Sequence, residues 1–202
     1  ASTTVSFVIL PKPLTITASP RTKVYGSVDP LLTYEITSGK LENDDNLIGD
    51  LQRSAGNKVG TYAINQGSLI NANNPNYDIT FEGDNFTITP LPITGNFTAG
   101  NKVYDRTTTA AVSNWSLSGF LEGDQVELSG GTGDFADKNV GTGKVVTLTG
   151  WTLSGVDAGN YVLSADPTAL ADITKKDLTV SNGAAQSKVY DATKAAKVTG
   201  AG

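Results

Sequence analysis

Clustered acidic residues are the one feature of this sequence that could bind an ion. They are Glu42, Asp44 and Asp45 in one stretch, Glu122 and Asp124 in a second, and Asp134 and Asp137 in a third. Calcium takes about six to eight oxygen ligands, often from Asp, Asn and main-chain carbonyls, so such loops are where it would bind. No EF-hand pattern is present, and solvated carboxylates are common in turns. We therefore predict no metal site, and calcium at these seven residues is the alternative.

Residues that could support catalysis are scarce. The chain contains no Cys, His or Met, so thiol and imidazole chemistry are both excluded. A glycosidase needs two carboxylates beside a cleft, but any acidic chain supplies carboxylate pairs. The segment Gly130-Gly-Thr-Gly133 lacks the Gly-Lys-Ser/Thr of a phosphate-binding loop and is typical of a turn. We predict no catalytic residue, no cofactor and no enzymatic activity.

Aromatic side chains are the candidates for ligand binding. Trp115 and Trp151 would form a carbohydrate platform if both were exposed, whereas in the core they would fill space. Tyr25, Tyr104 and Tyr190 each follow Lys-Val. We expect these tyrosines to be core or corner residues whose hydroxyls bond to the main chain. The ligand, if there is one, stays unknown.

Charge and hydropathy exclude two classes of partner. The net charge is −5 and the 15 Lys and Arg are scattered, whereas nucleic-acid binding needs a basic face. No apolar run approaches the roughly 20 residues that span a bilayer, so we predict no membrane insertion. The absence of Met indicates a processed or excised piece of a longer chain.

The sequence repeats itself. Lys-Val-Tyr occurs at residues 23–25, 102–104 and 188–190, at intervals of 79 and 86 residues. Further landmarks recur in the same order: Leu41-Glu-Asn-Asp44 with Leu121-Glu-Gly-Asp124, Val59-Gly-Thr61 with Val140-Gly-Thr142, and Asn76-Tyr77 with Asn160-Tyr161. The repeats predict four segments: residues 1–11 as the last strand of a preceding unit, 12–90 and 91–174 as complete units, and 175–202 as the start of another.

Alternation of apolar and polar residues predicts an all-β fold. Leu14, Ile16 and Ala18 share one face of a strand, and Tyr77 and Ile79 share another. Short strands separated by Gly and Asn turns favour antiparallel β-sandwich units of the immunoglobulin-like kind, joined end to end. A β-grasp-like mixed unit is the alternative, because residues 41–51 could cross over as a short helix. The short junction Pro90-Leu-Pro92 favours a stiff array.

The two units resemble two domain families of large bacterial surface proteins. The first resembles the MBG domain of the YGX type at Lys12–Thr17, Lys23–Gly26, Asp29-Pro30, Val59–Tyr62, Asn76-Tyr77 and Phe86–Pro90. The second resembles the YDG domain at Lys102–Asp105, Leu117–Gly119, Asp137–Gly141, Gly143-Lys144, Leu153–Asp157 and Ala158–Tyr161. It departs from that family at Arg106, where a glycine is expected, and Ala192 stands at the same place in the third copy.

The resemblance implies a tandem array within a long, secreted, filamentous haemagglutinin-like adhesin that supports cell adhesion and biofilm. Its partners would be neighbouring repeats of the same chain, with exopolysaccharide or another copy of itself as further candidates. The favoured function is a structural stalk at the bacterial surface. The alternatives are a carbohydrate-binding module and a self-associating adhesive module.

Overall fold

The protein is all-β, as the alternation predicted. A computed structural model describes residues 5–179 and 183–199. In these residues the only helical turns are two short 3-10 turns, Asn71–Asn73 and Ala158–Asn160. None of the described helices is long and apolar enough to cross a membrane.

The described residues contain seventeen strands. The first repeat contains β1 (Lys12–Ala18), β2 (Arg21–Val24), β3 (Tyr34–Ser38), β4 (Gln52–Arg53), β5 (Gly60–Asn65), β6 (Tyr77–Glu82) and β7 (Asp84–Thr89). The second contains β8 (Leu91–Ala99), β9 (Lys102–Val103), β10 (Thr109–Ala110), β11 (Val112–Ser118), β12 (Glu127–Phe135), β13 (Gly141–Ser154), β14 (Tyr161–Leu163) and β15 (Thr168–Thr174). Two short strands follow, β16 (Ala184–Ala185) and β17 (Val198–Thr199), and they pair antiparallel.

Each repeat forms two sheets, and these sheets are mixed and not purely antiparallel. In the first repeat the strand orders are β3-β1-β6 and β2-β7-β5-β4. The pairs β1–β6 and β2–β7 are parallel and keep one register, from Lys12 opposite Tyr77 to Val24 opposite Thr89. In the second repeat β8 pairs parallel with β14, and β9 with β15. Alternation reveals which face of a strand is buried but not the direction of its neighbour, so the sequence could not show this.

The segment at residues 41–51 forms no helix, so the crossover of the β-grasp alternative is absent. Asn43 has a φ of 48°. Asn74, which is 5% exposed, accepts from the main-chain nitrogen of Ile48 at 2.7 Å and donates to its carbonyl at 2.9 Å. The side chain of Asn74 thus provides hydrogen-bond partners for the main-chain nitrogen and carbonyl of Ile48, which a helix would otherwise provide. Leu47 and Leu51 from this segment pack against the core.

The predicted core faces are confirmed. Leu14 and Ile16 are 2% and 0% exposed and pack with Leu69, Tyr77 and Ile79. A second cluster in the same repeat consists of Ala18, Ile64, Phe86 and Ile88. In the second repeat Val146 and Leu148 are both fully buried.

The chain divides into two compact units, and the second repeat contributes to both. The first unit comprises the residues up to Asn96 together with Trp115–Gly131 and Gly150–Pro167. The second comprises Phe97–Asn114, Thr132–Thr149 and the residues from Thr168 onward. One part of the second repeat therefore belongs to the same compact unit as the whole first repeat.

The lysine of each Lys-Val-Tyr motif fastens the turn that follows it. Lys23 donates to the carbonyl of Ser27 at 2.8 Å and pairs with Asp29 at 2.7 Å. Lys102 pairs with Asp105 at 2.8 Å and donates to the carbonyl of Thr107 at 3.1 Å. Lys188, Asp191 and Thr193 reproduce the second arrangement in the third copy. The lysine therefore makes its contacts within its own repeat. The tyrosine of the motif takes no part in these contacts.

Replacing Arg106 with glycine is expected to stabilise the chain by about 1 kcal/mol, because Arg106 lies in the left-handed region that costs side-chain-bearing residues about this much. Its φ is 74°, and Ala192 at the equivalent place has a φ of 60°. Urea denaturation followed by circular dichroism measures the difference. R106A is the matched control, since it removes the same side chain but keeps the strain. An equal gain from R106A would show that the side chain, and not the backbone, is responsible.

Candidate functional site: the joint between repeats

The first repeat and the second repeat meet at a polar joint inside the first compact unit. Three side chains form its centre, and we call them the tyrosine–aspartate joint: Tyr25, Asp124 and Tyr161. Tyr25 directly follows β2, and its main-chain nitrogen donates to the carbonyl of Thr89 at 2.9 Å. This bond holds Tyr25 at the end of the first repeat, because Thr89 directly precedes Pro90, the last residue of that repeat.

Asp124 accepts two tyrosine hydroxyls on one oxygen. The hydroxyl of Tyr25 donates to Oδ2 at 2.9 Å, and the hydroxyl of Tyr161 donates to the same atom. The Tyr161 oxygen in turn accepts from the main-chain nitrogen of Leu121 at 3.1 Å. The two rings meet edge to face, with centroids 5.5 Å apart and planes at 80°. Hydrogen bonds to a charged acceptor are the strong ones, so these side chains fix the position of one repeat against the next.

Two further contacts flank this centre. Lys58 Nζ lies 3.1 Å from Asp157 Oδ1, and the side chain of Lys58 is 67% exposed. A surface ion pair of this kind contributes only about 0–1 kcal/mol. The main-chain nitrogen of Val59 donates to Oδ1 of Asn160 at 3.0 Å, and Asn160 is 3% exposed. Because a buried amide must have partners, the Asn160 contact is the more constraining of the two.

Gly26 allows the close approach at the joint. Its φ is +80°, and a Cβ there would lie 2.6 Å from Cδ1 of Leu121 in the second repeat. Any side chain at this position would push Leu121 away. The glycine of the Tyr-Gly pair thus has a packing reason, which the sequence alone did not reveal.

A cluster of ion pairs, partly open to solvent, supports the first-repeat side of the joint. Asp29 lies 2.7 Å from Lys23 Nζ and 2.6 Å from Arg53 Nε. The Arg53 guanidinium lies 4.9 Å from the centre of the Phe86 ring and 5.3 Å from that of Tyr62. Hydrogen bonds from Arg53 and Lys23 lower the pKa of Asp29. This cluster ties β2, which directly precedes Tyr25, to the core strands β5 and β7.

The environment of the joint keeps both tyrosines protonated. Burial, followed by the hydrogen bond to Asp124, raises the pKa of Tyr25 to about 12. Burial and Asp124 also raise the pKa of Tyr161. A neutral phenol can donate to a carboxylate, whereas a phenolate would repel it, so the joint needs both hydroxyls protonated.

The joint is expected to weaken at alkaline pH. An unfolded tyrosine ionises near pH 10, whereas Tyr25 in the folded chain stays protonated up to about pH 12. Its contribution is therefore complete below about pH 10 and is lost as the pH rises to about 12. Unfolding by urea at several pH values, compared between the wild type and Y25F, measures this contribution. An identical pH dependence in the two proteins would contradict the expectation.

The first repeat carries half of the same joint. Tyr77, which is 5% exposed, donates its hydroxyl to Asp45 Oδ2 at 2.8 Å and accepts from the main-chain nitrogen of Glu42 at 2.9 Å. Asp45 therefore corresponds to Asp124, and Tyr77 to Tyr161. The sequence alignment had placed Asp44 opposite Asp124, so it was one residue out of register in this turn.

The acidic residues that the sequence singled out have separate roles. Asp134 accepts from Thr108 at 3.1 Å, Asp137 pairs with Lys144 at 2.7 Å, and Glu42 pairs with Lys12. Asp44 and Glu122 are exposed in turns. Asp45 and Asp124 accept tyrosine hydroxyls, as described above. In the part of the chain that the structure describes, no three acidic residues are grouped as a metal site would require.

The two tryptophans lie half-buried in the first compact unit. Trp151 donates from Nε1 to Asp166 at 2.9 Å, which fixes the edge of its ring. Trp115 lies on β11. Neither is among the fully buried side chains of the core, and their part in ligand binding stays a prediction.

The recurring tyrosines differ from expectation in their partner. Tyr25 donates to a carboxylate of the next repeat, 99 positions away, and not to a nearby carbonyl. Tyr104 is half-buried, and Tyr190 is 90% exposed. The repetition of Lys-Val-Tyr was the available signal, but it did not indicate where the partner was.

Comparison with known families agrees with this architecture. The family model of the MBG domain (YGX type) matches residues 14–87, and that of the YDG domain matches residues 87–169. No curated protein and no solved structure matched the chain. The two matched segments meet at Thr87 in β7, three residues before the junction Pro90-Leu-Pro92. The chain belongs to the proteins that carry an MBG domain of the YGX type followed in tandem by a YDG domain.

Proposed function

We propose that this chain is a non-catalytic stalk module of a long, secreted bacterial adhesin, in which tandem repeats hold an adhesive region away from the cell. Attachment to cells or surfaces, and biofilm, would be the functions of the whole protein. The observation that carries the proposal is the tyrosine–aspartate joint, because it fixes one repeat to the next with charged hydrogen bonds. An enzyme or a receptor needs no such connection between its repeats, whereas a stalk depends on it.

Three further features support this role. The junction after β7 contains Pro90 and Pro92, whose rings restrict the backbone between the repeats. Asn160 is buried at the joint and accepts from the main chain of the first repeat, so this contact between the repeats is shielded from water. The pKa is shifted most strongly at Tyr25 and Asp105. Tyr25 bonds to Asp124 and Asp105 pairs with Lys102, and both contacts hold parts of the fold together.

Small-angle X-ray scattering of the wild type and of D124A tests the proposal. A compact chain of this length has a radius of gyration of roughly 16–17 Å, whereas repeats held rigidly end to end give about 25 Å or more. We expect the wild type to give the larger value with a narrow distance distribution, and D124A to broaden that distribution. A compact particle, or a distribution that D124A leaves unchanged, would contradict the stalk role.

The same scattering experiment with calcium and then with a chelator separates the joint from ion binding. We expect no change, since the joint uses only protein groups. Stiffening by calcium would assign that role to the acidic turns instead. E122A, a change at an exposed carboxylate in the same turn as Asp124, is the matched control and should scatter like the wild type.

A further inference from the structure

The turn that follows the Lys-Val-Tyr tyrosine has two forms in this chain. In the first repeat Gly26 directly follows Tyr25 and has a φ of +80°. In the second repeat Asp105 follows Tyr104, and the left-handed residue comes one position later, at Arg106, with a φ of 74°. The chain therefore leaves the two tyrosines along different paths. We call these two forms the glycine turn and the aspartate turn.

The two turns also differ in charge beside the tyrosine. In the glycine turn Lys23 pairs with Asp29, which lies further along the chain. In the aspartate turn Lys102 pairs with Asp105 itself, whose carboxylate also accepts from the main-chain nitrogen of Thr107 at 2.9 Å. These hydrogen bonds lower the pKa of Asp105 to about 2, so its carboxylate is ionised at neutral pH. The residue after the tyrosine is therefore small and uncharged in one form, and larger and charged in the other.

The residue that meets Gly26 across the joint differs between repeats as well. It is Leu121, whose main-chain nitrogen donates to the hydroxyl of Tyr161. In the first repeat the main-chain nitrogen of Glu42 makes the same bond to the hydroxyl of Tyr77. Leu121 and Glu42 therefore occupy equivalent places, three residues before the aspartate that accepts the tyrosine. One place carries an apolar side chain and the other a carboxylate.

Gly26 and Leu121 fit together because Gly26 has no side chain. A Cβ on Gly26 would lie 2.6 Å from Cδ1, 3.2 Å from Cδ2 and 3.4 Å from Cγ of Leu121. Carbon atoms that are not bonded pack best at about 3.5–4.0 Å, so all three contacts would be too close. All three involve the same side chain, and this makes Leu121 the partner that requires a glycine here.

We propose that the residue after the tyrosine and the residue at the place of Leu121 together select which repeat docks on which. The glycine turn admits the second repeat, whose Leu121 fills the space beside Gly26. An aspartate turn excludes that partner, because a side chain at the place of Gly26 meets Leu121. A glutamate in that place, as Glu42 is in the first repeat, sets a carboxylate against a charged aspartate turn. Selection of this kind uses repulsion from the wrong partner as well as fit to the right one.

This selection rests on the proposed function, because the order of repeats matters only where repeats are joined in a row. The two ideas are nevertheless tested separately. Scattering of D124A measures whether the joint holds the repeats, whereas substitutions at Gly26 and Leu121 measure which side chains fit there. A stalk whose joint tolerates any residue after Tyr25 would keep the proposed function and lose the selection.

Urea denaturation of the full chain with G26A, L121A and the double variant tests the fit. G26A adds both left-handed strain and the clash, so we expect its unfolding equilibrium constant to rise about 100-fold. L121A removes the three atoms that the new Cβ would meet. In the L121A background G26A should therefore cost only the strain, about tenfold. The difference between the two backgrounds is the coupling of the pair.

Gly123 is the matched control for strain without a clash. Its φ is +92°, and a Cβ there meets no atom within 4 Å. G123A should cost about tenfold whether residue 121 is leucine or alanine. If G26A costs no more than G123A, or costs the same in both backgrounds, Leu121 simply turns aside and the proposal is overturned.

Charged variants test the selection itself. G26D introduces the residue of the aspartate turn, and aspartate tolerates the left-handed region better than alanine does. Combined with L121E, G26D should be less stable than the two single changes predict, because two carboxylates then face each other. Combined with L121K, it should be more stable than they predict, by up to about fivefold for a partly exposed pair. Charged variants whose effects simply add would show that the joint does not discriminate, which would also overturn the proposal.

Discussion

Replacing Asp124 with alanine is expected to lower the free energy of unfolding by about 3 kcal/mol, because two hydroxyls lose a charged acceptor. Tyr161 is 5% exposed, so water has little access to replace the acceptor that its hydroxyl loses. Tyr25 also loses its hydrogen bond to the second repeat, which is one of several contacts between the two repeats. Urea denaturation followed by tryptophan fluorescence reports on this region, since Trp115 and Trp151 lie in the same compact unit.

Glu122 provides the control for that substitution. It lies two residues before Asp124 in the same turn and is exposed, so E122A removes a carboxylate of the same charge. Surface changes of this kind are usually within about 0.5 kcal/mol of neutral. A loss of similar size in E122A and D124A would mean that the charge of the turn, and not the hydrogen bonds of Asp124, stabilises the protein.

Replacing Gly155 with alanine is expected to cost about 2–4 kcal/mol, since left-handed strain and overpacking act together. Its φ is +110°, and an added Cβ would lie 2.2 Å from the carbonyl oxygen of Gln125. The loop that begins at Gly155 carries Asp157 and Asn160, which contact the first repeat. Displacing the loop therefore affects the joint as well as the fold, and urea denaturation measures the sum.

Gly159 in the same loop is the matched control. A Cβ there meets no atom within 4 Å, and its φ is outside the left-handed region. G159A is therefore expected to be close to neutral. If G155A proves as mild as G159A, the backbone at Gln125 has room to move, and the loop is not a rigid part of the joint.

The sequence predicted the strands and the buried faces because alternation is a local pattern, and it predicted the repeat because the same motifs recur in the same order. Leu14, Ile16 and Ala18 alternate with polar residues, and all three are buried. The direction of strand pairing was not predictable, since β1 and β6 lie next to each other although 65 residues separate their paired positions. Alternation carries no information about such distant neighbours.

The joint was only partly visible in the sequence. The repeated Lys-Val-Tyr indicated three equivalent tyrosines, but the partner of Tyr25 is a carboxylate 99 positions away. Asp124 was named only within the calcium alternative, and a solvated turn carboxylate was the favoured interpretation, so neither pointed to a tyrosine partner. Asn160 was visible only as a recurring Asn-Tyr landmark, which did not reveal that its side chain accepts from the main-chain nitrogen of Val59 in the preceding repeat. Contacts between repeats depend on how the units pack, which no local pattern records.

The parallel register of the first repeat determines how that repeat would respond to tension. Lys12 begins one continuous pairing with residues 77–82, and the same register resumes between residues 21–24 and 86–89. The chain enters at one end of this ladder and leaves at the opposite end. A pull along the chain therefore loads the ladder hydrogen bonds in shear, so that they must break together and not one after another. A chain stretched from its two ends would therefore meet the resistance of all these bonds at once.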